Sequence, residues 1–399
     1  MKEYILSNEI KLIYIKGTSE LTSISIALEA GASQDGTKLG IAHATEHMIY
    51  KSTKNRNEAK INKDFSEVFG FNNAMTNYPY VVYYGTLLGE DFNKGIELYS
   101  DILINPTFPA EGFKEEMDVI IEELKEWDEA LDQYCEDKLL YNSFNNNRLK
   151  FPIIGTFESL KNITLENIKT FYNKYYSPKN TSIVISSALD FKYIVETVEK
   201  YFGSWEGQEV LPADECREVP VKDTFIDSKK GSNSARVQIN FPISDLNSEE
   251  LKALRVFNEY FGEGINSKLF DRLRTKGGLV YDVLTFIGYE KYIRNYRITF
   301  STSKEKVYRA LEEINKAILE IEVLDEAKIE KLSKSIRIKK LFKEEQSIRL
   351  TNAVATYSAM FKDYREYENS YKDMDKLDGD FIYKVARKVL ENPSIEIIK

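Results

Sequence analysis

Hydrophobic positions along the chain recur with two periods. Leu21 to Gly31 sets Ile24, Ile26 and Leu28 on one side and Ser23, Ser25 and Ala27 on the other, the alternation of a strand with one wetter face. A polar stretch, Ala32 to Lys38, precedes Leu39 to Tyr50, whose residues form helices well up to the break at Lys51, Ser52 and Thr53. The pattern then predicts a helix over Asn57 to Val68, a buried strand over Tyr80 to Leu88 and an amphipathic helix over Asp91 to Ile104, ended by Asn105 and Pro106. Glu111 to Trp127 and Leu131 to Asn142 read as further helices. Thr164 caps a helix over Leu165 to Tyr176, Thr181 to Ala188 returns as a strand, and the helix Phe191 to Tyr201 closes the unit.

Between Gly207 and Ser234 the chain turns polar, with Pro212 and Pro220 and little periodicity, which marks a boundary. Beyond it the order of elements repeats. Arg236 to Phe241 alternates with Val237, Ile239 and Phe241 inward, and Asn247 with Glu250 forms a capping-box start for a helix to Tyr260. Strands within Val280 to Ile287 and Tyr292 to Ser301 precede a helix over Lys304 to Ile321, much as Tyr80 to Leu88 precedes Asp91 to Ile104. The expectation is two domains of similar α+β build, residues 1–205 and 235–399, joined by a linker over 206–234. Asp325 to Leu390 is helix-rich and charged and reads as packing around a sheet.

Composition narrows the class. With 42% hydrophobic and 30% charged residues among 399, disorder, collagen and low complexity are excluded. A net charge of −9 without a basic block argues against nucleic acid and anionic membrane surfaces as partners. No run approaches the roughly 18–20 apolar residues of a membrane span, and the interleaved charges of Met1 to Lys16 leave no apolar core for a signal peptide. Cys135 and Cys216, 216 − 135 = 81 positions apart, make neither a disulfide framework nor a Cys-based zinc site. A soluble cytoplasmic protein with two ordinary thiols is expected.

The chemistry concentrates in one place. The chain's two histidines, His43 and His47, stand four apart on one predicted helix, with Glu46 between them. Residues four apart share a helix face, so both imidazoles can approach one ion. Glu46, on the neighbouring stripe, can reach water at that ion without being a ligand, as a general base for hydrolysis requires. The order H-x-x-E-H inverts the H-E-x-x-H zinc motif. Zinc needs a third protein ligand, and with no other histidine and two distant cysteines that ligand is Asp or Glu.

The segment HATEHMIYKST resembles the inverted zinc motif of the pitrilysin and insulinase family, which includes mitochondrial processing peptidases and insulin-degrading enzyme. In that family a downstream glutamate is the third ligand, in a helix that carries an assisting glutamate seven residues earlier. Here Glu123 stands 123 − 47 = 76 positions after His47, the family's spacing, and Glu116 precedes it by 123 − 116 = 7. Glu116 and Glu123 share a helix face, whereas Glu122 points elsewhere, which favours Glu123 as the ligand. Asn73, Ala74, Met75 and Thr76, before the Tyr-rich strand, resemble the family's edge strand, on which an extended substrate adds as a further strand. ILINPTF over Ile102 to Phe108 and the stretch Ile153 to Tyr176 are also family-like. Ser267 to Val283 looks like its second signature, with Arg274 and Tyr281 placed to hold the substrate backbone and its carbonyl. Ala44 and Thr45 depart from the bulkier pair usual between the histidines.

The resemblance implies two similar domains, each a mixed, mostly antiparallel sheet flanked by helices. It implies one Zn2+ per chain and a zinc endopeptidase acting on short unfolded peptides or precursor segments in an enclosed chamber. Family members of this length pair up, so a homodimer is expected, and a heterodimer with a related subunit is the other arrangement the sequence permits. The rival reading is a non-catalytic scaffold or peptide-binding subunit, which the intact metal and base positions disfavour.

Overall fold

The computed structural model describes residues 1–207, 210 and 218–399. Two compact units emerge, one of Met1–Lys125, Pro152–Glu215 and Phe342–Tyr367, the other of Glu126–Phe151, Cys216–Leu341 and Glu368–Lys399. A linear division at the polar boundary therefore misplaces two helices: Leu131–Ser143 packs in the second unit and Ser347–Phe361 in the first. The expected linker over 206–234 falls partly on residues outside this description.

In the first unit, β1 (Lys2–Ile5), β2 (Lys11–Lys16), β3 (Leu21–Leu28), β4 (Phe69–Thr76), β5 (Val81–Leu88) and β6 (Thr181–Ser187) form one sheet in the order β1-β2-β6-β3-β5-β4. Only β2 and β6 run parallel; the other neighbours are antiparallel. In the second unit, β7 (Thr224–Asp227), β8 (Ala235–Pro242), β9 (Asp282–Tyr289), β10 (Arg294–Thr302) and β11 (Ser394–Ile398) form a sheet in the order β7-β11-β8-β10-β9. Its one parallel pair is β7 with β11. With β1 set aside, both sheets run first, fifth, second, fourth, third in chain order. The repeat read from the element order is thus a repeat of topology, and the α+β class with two similar units holds.

The serine face of β3 is not wet. Ser347–Phe361 lies across β3, β6 and β5, and its Val354, Ala355, Ala359 and Met360 pack on Ile13, Ala27, Val82 and Val184. Hydroxyls settle the polar remainder: Ser25 Oγ lies 2.8 Å from Thr351 Oγ1 and 2.6 Å from Asn352 Oδ1, Ser23 meets Ser347 at 2.8 Å, and Ser182 meets Ser358 at 2.8 Å. Small side chains let helix and sheet approach closely, and each buried hydroxyl has a partner, which buried polar atoms require. In the second unit Val237, Ile239 and Phe241 do face the core, beside Leu254, Phe257 and Phe261 of the helix Ser248–Phe261. That helix starts in the predicted capping box, with the side chains of Asn247 and Glu250 each accepting from the other's backbone N–H.

Candidate metal centre

The motif helix, Ile41–Ile49, begins at Gly40, whose φ of 88° lies in the left-handed region. A Cβ there would sit 2.3 Å from the Ile154 carbonyl oxygen, so both the turn and the close approach require glycine. Asp35 secures the entry: its carboxylate accepts from the Gly40 N–H at 2.7 Å and the Ala42 N–H at 3.0 Å. Ile41, Ala42, Met48 and Ile49 are buried, which turns His43 and His47 toward the helix Phe113–Glu129.

The two imidazole rings stand 4.6 Å apart, centroid to centroid. His43 Nε2 lies 3.8 Å from Glu123 Oε1, and His47 Nε2 lies 3.6 Å from Glu123 Oε2. All three residues offer ligand atoms within 4.8 Å of one another. Metal bonds of about 2.1 Å in a tetrahedron place ligand atoms about 3.4 Å apart, so this set fits one zinc ion with little movement. Glu122, the neighbouring carboxylate, points away and pairs with Lys125 at 2.6 Å.

Around the donors, charge and burial are arranged unequally. Burial, and then the neighbouring His47, push His43 down to about 3, leaving it in the neutral form that binds metals. Burial also works against the His47 cation, but the hydrogen bond to Glu116 and the nearby carboxylates outweigh it and raise that ring. Glu116 Oε1 lies 2.7 Å from His47 Nδ1, a contact that commits Nε2 to the donor set. The His47 bond, joined by Lys51, holds Glu116 down to about 2. The Nδ1 of His43 has no hydrogen-bond partner among the described residues.

Glu46 is 8% exposed, and burial pushes its carboxyl up to about 7 against the hydrogen bond it accepts from the Thr76 hydroxyl. Thr76 ends β4, an edge strand of the first sheet that pairs on one side only, with β5. Asn73 and Met75 are exposed along this edge and Ala74 is half-buried. The structure therefore gathers His43, His47, Glu123, Glu116, Glu46 and Thr76 at one place, with Asn73, Ala74 and Met75 leading to it. Thr76, the last residue of that strand, is buried and turns its hydroxyl inward to Glu46.

Arg274 and Tyr281 belong to the second unit. A π-helical turn, Asp271–Lys276, carries Arg274, whose guanidinium lies 5.1 Å from the Phe270 ring and 5.8 Å from the Tyr281 ring. Tyr281 is 79% exposed. Lys51, which reads from the sequence as a helix break, lies just past the end of that helix, four residues after His47, and reaches the Glu116 carboxylate. Asp35, one loop upstream, was also passed over; its signal was an acidic residue shortly before a glycine-initiated helix.

An inverted histidine pair facing a glutamate helix, repeated-fold partner included, defines the class of zinc metallohydrolases with this motif. The chain belongs to peptidase family M16: the insulinase (peptidase family M16) model matches residues 12–157, and the model described as the peptidase M16 inactive domain matches 162–335. Both histidines fall within the first match. Among relatives, an uncharacterized zinc protease YmxG of Bacillus subtilis is 27% identical over 288 residues, covering 72% of this chain and 70% of the relative. The beta subunit of the mitochondrial-processing peptidase of Saccharomyces cerevisiae is 31% identical over 191 residues, 48% of this chain and 41% of that one. A protease from Helicobacter pylori shares the fold with a TM-score of 0.88 at 19% identity, covering 100% of this chain and 99% of the other. No helix among the described residues is long and apolar enough to cross a membrane.

Proposed function

We propose that the chain is a zinc-dependent endopeptidase that hydrolyses short unfolded peptides or precursor segments. One observation carries this reading: the ligand atoms of His43, His47 and Glu123 lie within 4.8 Å of one another, and buried Glu46 stands between the histidines in sequence, held by Thr76 at the end of an exposed edge strand. A zinc ion in that set supplies Lewis acidity, acidifying water and polarising a carbonyl. Glu46 takes the proton of the attacking water at its carboxylate and returns it to the leaving amine. Its burial keeps that carboxyl out of bulk solvent, and the Thr76 hydroxyl fixes which oxygen faces the reaction. Substrate enters as an added strand along β4, where backbone groups of Asn73, Ala74 and Met75 bind without demanding a sequence.

Arg274 and exposed Tyr281 hold the substrate backbone and its carbonyl oxygen, contributed by the second unit of another copy in a homodimer whose chamber admits unfolded segments. The compartment that suits this protein is the cytoplasm, where buried Cys135 stays a thiol, pushed up by burial. The test is elemental analysis of the purified chain beside Glu123→Gln, with cleavage of a mixed quenched-peptide set. One zinc per wild-type chain, lost in the variant together with chelator-sensitive cleavage, supports the reading. A wild-type chain that takes up no zinc overturns it, and a zinc-replete chain that cuts nothing points to a peptide-binding subunit.

A further inference from the structure

Behind the donor set runs a second line of contacts. Lys51 lies just past the end of the motif helix, and its Nζ is 2.5 Å from Glu116 Oε2 and 2.8 Å from Glu58 Oε1. Glu116 gives its other oxygen to His47 Nδ1 at 2.7 Å. Glu58, Lys51, Glu116 and His47 thus form one continuous relay that ends on a metal donor. The side chains of Lys51 and Glu116 are 14% and 13% exposed, so water takes little part in the pair, whereas Glu58, in the first turn of the helix Glu58–Val68, is half open to solvent.

We propose that Lys51 is a positioning residue of the metal centre, locking the Glu116 carboxylate so that one oxygen is committed to His47 and the ring keeps Nε2 on the donor set. This inference rests on the reading that His43, His47 and Glu123 hold zinc. Three carboxylates, Glu46, Glu116 and Glu123, stand close enough to His47 to act on its charge, and the charge of Glu123 acts against that of Glu46. Lys51 offsets one of those charges at the oxygen that does not touch His47. Without it the Glu116 carboxylate is free to turn or to be displaced, and the hydrogen bond that fixes the His47 tautomer goes with it. His43 offers no substitute, because its Nδ1 has no hydrogen-bond partner among the described residues. Orientation of the imidazole pair therefore depends on the one brace that Lys51 anchors. Partners of this kind behind a metal ligand typically change affinity by about 10- to 100-fold.

The experiment measures zinc affinity by competition with a chromophoric chelator for the full-length wild type, Lys51→Met, Lys51→Arg, Glu116→Gln and the double variant Lys51→Met with Glu116→Gln. Melting of each zinc-free protein is recorded alongside. Lys51→Met keeps the aliphatic stem and loses the charge; it should weaken zinc binding by about tenfold or more. Lys51→Arg keeps a charged donor and should stay within about threefold of wild type. Because Lys51 acts through Glu116, the double variant should bind like Glu116→Gln alone, the non-additivity of residues in one network. A purely structural lysine would lower the zinc-free melting temperature and leave zinc affinity unchanged, which would overturn the proposal, as would additive losses in the double variant. If Lys51→Met does not fold, Lys51→Gln and Glu58→Gln carry the same comparison, and unchanged affinity in both is equally fatal. Wild-type protein that binds no zinc would overturn the metal-site reading itself, and this inference with it.

Discussion

Asp35→Ala removes the acceptor that holds the start of the motif helix. Its carboxylate takes two backbone donors, Gly40 N at 2.7 Å and Ala42 N at 3.0 Å, and the residue is 5% exposed, so solvent is a poor replacement. Hydrogen bonds to a charged group contribute about 1.5–3 kcal/mol each, and two that share one carboxylate place the loss at about 3 kcal/mol. At 1.4 kcal/mol per factor of ten, the first turn should open roughly a hundredfold more often. His43 sits in that turn, so zinc binding must weaken as the turn frays. Hydrogen exchange of a peptide covering residues 40–50, followed by mass spectrometry on zinc-free protein, reads the opening directly. Asp35→Asn keeps one acceptor oxygen and should fall between wild type and Asp35→Ala. Exchange in Asp35→Ala within about threefold of wild type would refute the reasoning, because it would mean the two amides find equal partners elsewhere.

Other consequences can be checked singly. Gly40→Ala forces an L side chain into the left-handed region and against the Ile154 carbonyl; a cost of about 2 kcal/mol should lower the melting temperature by about 4–8 °C. Ser25→Val removes the hydroxyl that meets Thr351 Oγ1 and Asn352 Oδ1 beneath the first sheet and should destabilise by about 2 kcal/mol, measured by thermal or denaturant unfolding, whereas a harmless change would show that face to be loosely packed. Burial raises Asp137 to about 6 despite hydrogen bonds from Trp127 at 2.8 Å and Gln133 at 3.0 Å. A carboxyl whose folded value is raised favours folding at low pH and loses that contribution as pH climbs from its unfolded value of about 4 through 6. Asp137→Asn should therefore raise the melting temperature at pH 8 more than at pH 5, and the Trp127 emission of a Trp205→Phe background should titrate near pH 6 only while Asp137 is present.

Local chemistry explains which features could be read in advance. The motif helix, the N-cap at Thr164, the capping box at Asn247, and the shared face of Glu116 and Glu123 depend on residues within a few turns of one another, and the structure shows each where local rules place it. Contacts that join distant parts of the chain leave no such trace. Ser347–Phe361 shows only small and hydroxylated residues, and nothing local reveals that Ser23, Ser25 and Ser182 await them under the first sheet. β11 is five residues long, an alternation too short to tell from a loop, yet it sits between β7 and β8. β7 lay hidden in a segment read as linker, since its pairing comes entirely from β11. The pattern of Leu131–Ser143 predicts a helix but not its unit, because its partners Arg236 and Glu396 lie far along the chain. Lys51 looked like a helix terminator because the carboxylate that explains it comes 65 positions later, 116 − 51.

The most direct test compares zinc content and peptide cleavage in the same samples of wild type and Glu46→Gln. The account predicts one zinc per chain in both and a fall in kcat of about 10²-fold or more in the variant, since the amide cannot accept the proton. Undiminished cleavage by zinc-loaded Glu46→Gln would contradict it, because a residue other than Glu46 would then have to activate the water.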